Sequence, residues 1–316
     1  MELRRLGHTG LEVSCLALGT MGWGESTDQH EARDILGIYR DAGGTLIDTA
    51  WAYGDGSSET LVGQLVAEAG ARDDVVLATK AGLLMRGDRR RDASRRTLLT
   101  QLDQSLERLQ TDHVDLWQVH IWDDATPLHE TLSALSYAVQ SGRARYVGIS
   151  NYTGWQTAYA HTLLGSRAEP VTLASTQVEY SLLNRAIEPE VAPAVEELGM
   201  GMLAWSPLGR GVLTGKYRHG IPGDSRAATS HMDRFVTPYL EGTSRSIVEA
   251  VARAADGLQL SCGEVALAWV LGRPGVTSAV IGARTATQLK GSLQAEQVTL
   301  PPAIVQALDD VSEVAR

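Results

Sequence analysis

Gly19-Thr20-Met21-Gly22-Trp23-Gly24 follows the first apolar run of the chain, Cys15–Leu18, and its reading separates two folds. An open, doubly wound sheet normally carries G-x-G-x-x-G after its first strand, where glycines let the backbone turn against a pyrophosphate. This hexapeptide does not have that spacing. The alternative is a sheet closed on itself. Seven further short apolar runs support it: Thr45–Asp48, Val75–Thr79, Val114–Val119, Arg145–Ile149, Leu173–Val178, Met202–Trp205 and Ser278–Ile281. The segments between them carry helical spacing. Ala32, Ile35, Leu36 and Tyr39 share one face, as do Leu98, Leu99, Leu102, Leu106 and Leu109, and then Leu128, Leu132, Leu135 and Val139. Eight strands alternating with helices predict a (β/α)8 barrel of the TIM type, and 316 residues suit a single such domain spanning the chain.

Three stretches lie outside the rhythm. Leu3–Leu6 and Leu11–Ser14, joined through Gly7-His8-Thr9-Gly10, predict an N-terminal hairpin. Residues 207–242 hold six glycines and three prolines with no clear period, a long loop after the seventh strand of the kind that covers a ligand. Ile304, Leu308 and Val311 predict a last helix against the barrel.

Composition narrows the function. A net charge of −10 repels nucleic-acid phosphates. The Arg-rich stretch from Arg86 to Arg96 reads as a solvated loop and helix start. No apolar run approaches the ~20 residues that span a bilayer. Two cysteines, Cys15 and Cys262, stand in no spaced motif, and the N-terminus has no apolar signal core; both point to a reducing, cytoplasmic setting. Eight histidines form no H-E-x-x-H, so no metal is expected. Gly148-Ile-Ser150-Asn-Tyr152 lacks the last glycine of a serine nucleophile elbow.

In β/α barrels, chemistry sits at the C-terminal ends of the strands. There the sequence places Asp48, Tyr53, Lys80 and His120. Only three of the 28 basic residues are lysines, so an ammonium at a strand end stands out. Together the four make an acid catalyst. A phenol titrates at about 10, and a nearby ammonium pulls it down toward working pH. Asp48 would hold the ammonium, and His120 would donate to an oxygen gaining negative charge. That is the equipment for protonating a carbonyl oxygen during hydride reduction.

The order and spacing of Asp48, Tyr53, Lys80 and His120 resemble the catalytic tetrad of the aldo-keto reductases. Gly148-Ile-Ser150-Asn151, Gln177 and Trp205-Ser206-Pro207-Leu208-Gly209 follow in the same order, and the likeness covers nearly the whole chain. It implies a carbonyl reductase that takes its hydride from NADPH and its proton from Tyr53. It also implies a cofactor site. Ser150, Asn151 and Gln177 would bind the nicotinamide carboxamide, and Trp205 would stack on the ring. Gly209, Gly211 and the backbone after Ser206, with Pro207 and Leu208, would approach the pyrophosphate. Lys216 and Arg226 would add positive charge, and Gly19, Thr20, Met21 and Asp48 are also expected to bind the cofactor. Gly282, Arg284, Gln288 and Ser292 are further cofactor-binding positions, with Arg284 on the 2′-phosphate. Where the family often continues to Glu-Asn, this chain has Gly291 and Ser292, a departure at the adenine.

Trp23, Trp51 and Trp122 lie near strand ends and are expected to line a pocket for an apolar or aromatic carbonyl compound. Two rivals remain. Potassium-channel β subunits share the architecture, and segments 205–217 and 282–288 resemble them. They would make this chain a non-catalytic NADPH-binding partner, but they characteristically lack the histidine that stands here as His120. A two-carboxylate hydrolase using Asp48 and Glu179 leaves Tyr53 and Lys80 without a role. Barrels of this kind occur alone and in assemblies, so either state is open.

Overall fold

The structure is a computed structural model that describes residues 1–85, 90–223, 225–228 and 233–313. Two short antiparallel strands come first, β1 (Leu3–Arg5) and β2 (Glu12–Ser14). Eight parallel strands then close into a barrel. They are β3 (Leu16–Gly19), β4 (Leu46–Asp48), β5 (Val76–Ala81), β6 (Val114–Val119), β7 (Ala144–Ser150), β8 (Leu173–Glu179), β9 (Gly201–Trp205) and β10 (Val276–Gly282). Neighbours in sequence are neighbours in the sheet, and β10 returns to β3. The expected eight strands are therefore the observed eight, with ends shifted by a residue or two. Shifts of two residues carry the end of β5 past Lys80 to Ala81 and the start of β10 back to Val276.

The helices are α1 (Gln29–Asp41), α2 (Ser57–Glu68), α3 (Arg95–Arg108), α4 (Leu128–Gln140), α5 (Gly154–Gly165), α6 (Val191–Glu197), α7 (Asp233–Val236), α8 (Thr243–Leu258), α9 (Cys262–Leu271), α10 (Ala286–Leu293) and α11 (Pro302–Val311). Among the described residues, five of them start on side chains that accept from orphan backbone N–H groups. Asp28 caps α1 and Ser94 caps α3. Thr153 with Gln156, and Ser261 with Glu264, form capping boxes on α5 and α9. The faces read from spacing are the buried ones: Ala32, Ile35, Leu36 and Tyr39 are buried on α1. On α3 the stripe is narrower than expected. Leu98 and Leu102 are buried, and Leu99 and Leu106 only partly so.

Inside the barrel, Ala17, Leu46, Ala78, Leu116, Ala174, Leu203 and Val280 form one cluster with Leu6 and Val13 of the hairpin region. The interior is thus a packed core, and the hairpin closes its N-terminal end. What remains open to chemistry is the opposite rim. There the sheet is shaped by an irregular register between β7 and β8 beside Gly148. A Cβ at Gly148 would lie 2.6 Å from Ser175 Oγ and 2.8 Å from Ser175 O. Only glycine lets these strands approach so closely, and their continuations carry Ser150, Asn151 and Gln177.

The long loop is partly structured. It contains 3₁₀ turns at Gly209–Thr214, Arg226–Ala228 and Thr237–Tyr239, and the single turn α7. The Arg226 side chain lies outside the described residues, as do residues 86–89 of the Arg-rich stretch.

Candidate active site

Asp48 is the last residue of β4 and Lys80 lies at the end of β5, so the adjacent strands bring them together. Lys80 Nζ donates to Asp48 Oδ2 at 2.6 Å and to Thr49 O at 2.9 Å. Both side chains are enclosed, 0% and 2% exposed. An ammonium survives burial only when paired and hydrogen-bonded. Burial works to strip its proton, yet the Asp48 charge and hydrogen bond, together with Tyr53, hold Lys80 above its ordinary value. Gln177 Nε2 donates to Asp48 Oδ1 at 2.8 Å, so both carboxylate oxygens are engaged.

Tyr53 follows β4 on an irregular bow and lies half-buried beside this pair. Lys80 Nζ is 5.2 Å from its ring centroid. The ring meets His120 edge-on, centroids 5.9 Å apart at 81°. The four expected residues therefore share one site. One expectation is corrected. Burial pushes the phenol above its ordinary value of 10, and Asp48 adds to the rise. The Lys80 ammonium acts in the opposite sense and does not overcome them. Lys80 restrains the Tyr53 pKa rather than bringing it below that of a free phenol. At neutral pH the phenol keeps its proton.

His120 comes directly after β6, its N–H donating to Ala81 O at 2.8 Å. Burial and the Lys80 charge hold the imidazole well below its ordinary 6.5, so it is neutral. Its Nδ1 is buried without a hydrogen-bond partner among the described residues. An unpaired lone pair is tolerated there better than an unpaired N–H. That favours the tautomer with the proton on Nε2.

Around these residues the rim is tied together. Asn151 Nδ2 donates to His120 O and to Ser150 Oγ, both at 3.0 Å, and Asn151 Oδ1 accepts from Trp205 Nε1 at 3.0 Å. Ser150 Oγ donates to Gln177 O at 2.8 Å. Asn151, Ser206 and Arg210 all have positive φ, at 59°, 51° and 58°. Such backbones are costly without glycine, and they concentrate where surroundings impose a shape for function. The three residues expected on the nicotinamide carboxamide thus bond mainly to one another and to the tetrad. Asn151 Oδ1 keeps a second lone pair for an incoming N–H.

The fit of the rim to an anionic dinucleotide rests on three observations. Trp205 is half-buried with its indole fixed by Asn151; Phe235 stacks parallel to it, centroids 6.5 Å apart at 9°, and Arg210 Cζ lies 5.9 Å from its centroid, so a second ring would have to take the remaining face. Lys216 curls back on the glycine turn, its Nζ 3.2 Å from where a Cβ on Gly211 would stand. Arg284 lies just past β10, its N–H donating to Gln288 Oε1 at 2.9 Å and its carbonyl accepting from Thr27 Oγ1 at 3.4 Å. Trp205, Lys216 and Arg284 thus stand in chain order at or after the ends of β9 and β10.

Sequence reading missed Arg210 and its neighbours. Arg210 pairs with both oxygens of Glu179, at 3.0 and 2.8 Å, and its Cζ lies 3.6 Å from the Phe235 ring centroid. Tyr239 donates to the same carboxylate at 3.0 Å. Glu179 is therefore engaged twice over, which argues against the two-carboxylate hydrolase. The signal was available: a non-glycine between Gly209 and Gly211, and the only phenylalanine of the chain.

The three tryptophans part company. The structure corrects the expectation for Trp23, which is 1% exposed within the core and has no face to offer a substrate. Trp51 is engaged by α3: Nε1 donates to Gln104 Oε1 at 2.7 Å and its ring lies under Arg108. Trp122, two residues past His120, meets Tyr152 and Trp155 edge-on with centroids 5.1 and 5.6 Å away. Trp155 is 57% exposed. Trp122 remains the candidate for a substrate wall. Among the described residues no cluster of three His, Cys, Asp or Glu could hold a metal ion. No helix among them is long and apolar enough to cross a membrane.

Comparison with known proteins agrees with this geometry. The model of the Aldo/keto reductase family matches residues 15–313. The chain is 37% identical over 321 residues to the Bacillus subtilis (strain 168) protein named uncharacterized oxidoreductase YrpG, covering 98% of this chain and 96% of that one. It is 38% identical over 304 residues to L-glyceraldehyde 3-phosphate reductase of Escherichia coli (strain K12), covering 93% and 87%. It is 34% identical over 324 residues to a probable voltage-gated potassium channel subunit beta of Oryza sativa subsp. japonica, covering 98% and 96%. With a family model that spans the barrel and relatives at this identity over almost their full length, the chain belongs to the aldo/keto reductase family of oxidoreductases.

Proposed function

We propose that the protein reduces aldehydes or ketones to alcohols, with NADPH as hydride donor and Tyr53 as proton donor. The observation that carries this is the buried Lys80–Asp48 pair set beside the Tyr53 phenol and the His120 imidazole. When bound, NADPH supplies the hydride. The chain does the rest. Trp205 would stand against the ring, Asn151 Oδ1 would accept from the carboxamide, Lys216 and the turn 209–215 would meet the pyrophosphate, and Arg284 would meet the 2′-phosphate. His120 Nε2–H donates to the carbonyl oxygen and fixes its position. As negative charge grows on that oxygen, Tyr53 gives up its proton to it, and the Lys80 ammonium stabilises the phenolate left behind. Asp48 keeps Lys80 charged and in place through this change.

A second reading, a cofactor-binding partner subunit, is favoured by the 34% identity to the rice protein named as a channel subunit. It gives the tetrad no task. Cofactor carrying deuterium at the transferred position of the nicotinamide separates the two. With a panel of aromatic and aliphatic carbonyls, deuterium should appear on the carbinol carbon of the alcohol. Tight NADPH binding without alcohol formation from any member of the panel would favour the partner subunit.

A further inference from the structure

Tyr53 stands on an irregular bow, residues 51–56, between β4 and α2. Gly54, Asp55 and Gly56 are left-handed in succession, with φ of 58°, 51° and 98°. Left-handed φ is costly at a non-glycine such as Asp55, and a proton donor must be placed to within a fraction of an ångström. One side chain from another element grips both ends of the bow. Arg108, the last residue of α3, donates from Nη1 to Trp51 O at 3.2 Å, and its Cζ lies 5.4 Å from the Trp51 ring centroid. On the far side it abuts Gly56, where a Cβ would fall 2.4 Å from Arg108 Cζ. The guanidinium is itself held by Glu59 Oε2 at 3.1 Å.

Glu59 is 0% exposed on α2, and the chemistry above does not use it. Its other oxygen accepts from Thr79 Oγ1 at 2.6 Å, on the residue before Lys80. A fully buried carboxylate persists only when it is paired, and this one bridges the Tyr53 bow to the Lys80 strand.

We propose that Arg108, anchored by Glu59, is the positioning residue that sets Tyr53 against Lys80 and His120. The proposal rests on Tyr53 being the proton donor. It is tested on the whole chain, labelled at tyrosine Cζ with ¹³C, comparing the parent with Arg108→Met and Arg108→Lys. Tyr53→Phe identifies the Tyr53 resonance by its loss. In folded Arg108→Met, kcat should fall about 10–100-fold while the NADPH Kd stays near the parent value, as expected for a donor displaced by less than about 1 Å. The Tyr53 resonance should move. Arg108→Lys keeps a cation for Glu59 but cannot both stack on Trp51 and reach its carbonyl. It should show a smaller drop and a smaller move, and it decides the matter if the Met variant does not fold. Parent kcat and parent resonance in either folded variant would overturn the proposal. The resonance is read without substrate. If the parent reduces no carbonyl, the reductase reading fails, and the placement of Tyr53 by Arg108 is still judged on the resonance.

Discussion

Replacing Asp48 by asparagine leaves the Lys80 ammonium in an enclosed site without its counter-charge. Thr49 O remains as a partner at 2.9 Å, but the amide oxygen cannot accept from both Lys80 and Gln177 as the carboxylate does. Breaking a buried ion pair on one side costs about 3–5 kcal/mol. Lysine has a way out, which is to lose its proton. From a free value of about 10.4, neutralising it at pH 7 costs about 4.6 kcal/mol at about 1.36 kcal/mol per unit. The two routes agree, so Asp48→Asn should lower the unfolding free energy by about 3–5 kcal/mol at pH 7.

The pH dependence has a definite sign. In the parent, Lys80 is raised in the folded state, so its contribution is lost only above its already high value. In the variant, burial without Asp48 depresses Lys80 below its unfolded value. The unfolded chain then binds the extra proton, and stability rises with pH until about 10.4. Urea unfolding of both proteins at matched pH from 7 to 10 measures this. The deficit should shrink steadily toward pH 10. A deficit under about 1 kcal/mol at pH 7, well short of the buried-pair range, would refute the reasoning, as would one that does not change with pH.

Other expectations concern the reaction and its ligands. Lys80→Met removes the charge that opposes the effect of burial on Tyr53, so alcohol oxidation, which needs the phenolate, should shift to higher pH as well as slow; an unchanged profile would mean that Lys80 does not act on Tyr53. Arg284→Ala should weaken NADPH by about tenfold or more, the loss of a charge-assisted pair, and leave NADH nearly unaffected; equal weakening, read by titration, would remove Arg284 from the 2′-phosphate. Trp122→Ala should raise KM for aromatic aldehydes by up to about tenfold, an aromatic contact of about 0.5–1.5 kcal/mol, with little change for small aliphatic ones; equal effects would take Trp122 out of the substrate wall.

The barrel was legible because its signals are local. Eight apolar runs, three helical stripes and the missing glycine fingerprint together specify a closed parallel sheet, and each is read from neighbouring residues. The tetrad was legible for a related reason: a parallel barrel delivers every strand end to one rim, so Asp48, Lys80 and His120 meet without knowledge of loop paths. What escaped the sequence depends on loops and on net electrostatics. Arg210 meets Glu179 only because Arg210 adopts a left-handed backbone, which periodicity does not encode. Trp23 was expected at the pocket because it follows a strand end, but the Gly22–Thr27 turn folds back on itself, Thr27 N–H donating to Gly22 O, and the ring goes inward. For Tyr53 the sequence revealed the ammonium but not the depth of burial, and burial decides the direction of its pKa.

The central claim is that Tyr53 protonates a carbonyl oxygen during NADPH-dependent reduction. Its most direct test is cofactor oxidation by the purified protein with an aromatic aldehyde, parent against Tyr53→Phe, with NADPH affinity measured on both. The account predicts turnover in the parent, its loss by about 10²-fold or more in the variant, and equal affinity for NADPH. Parent-rate reduction by Tyr53→Phe would contradict it.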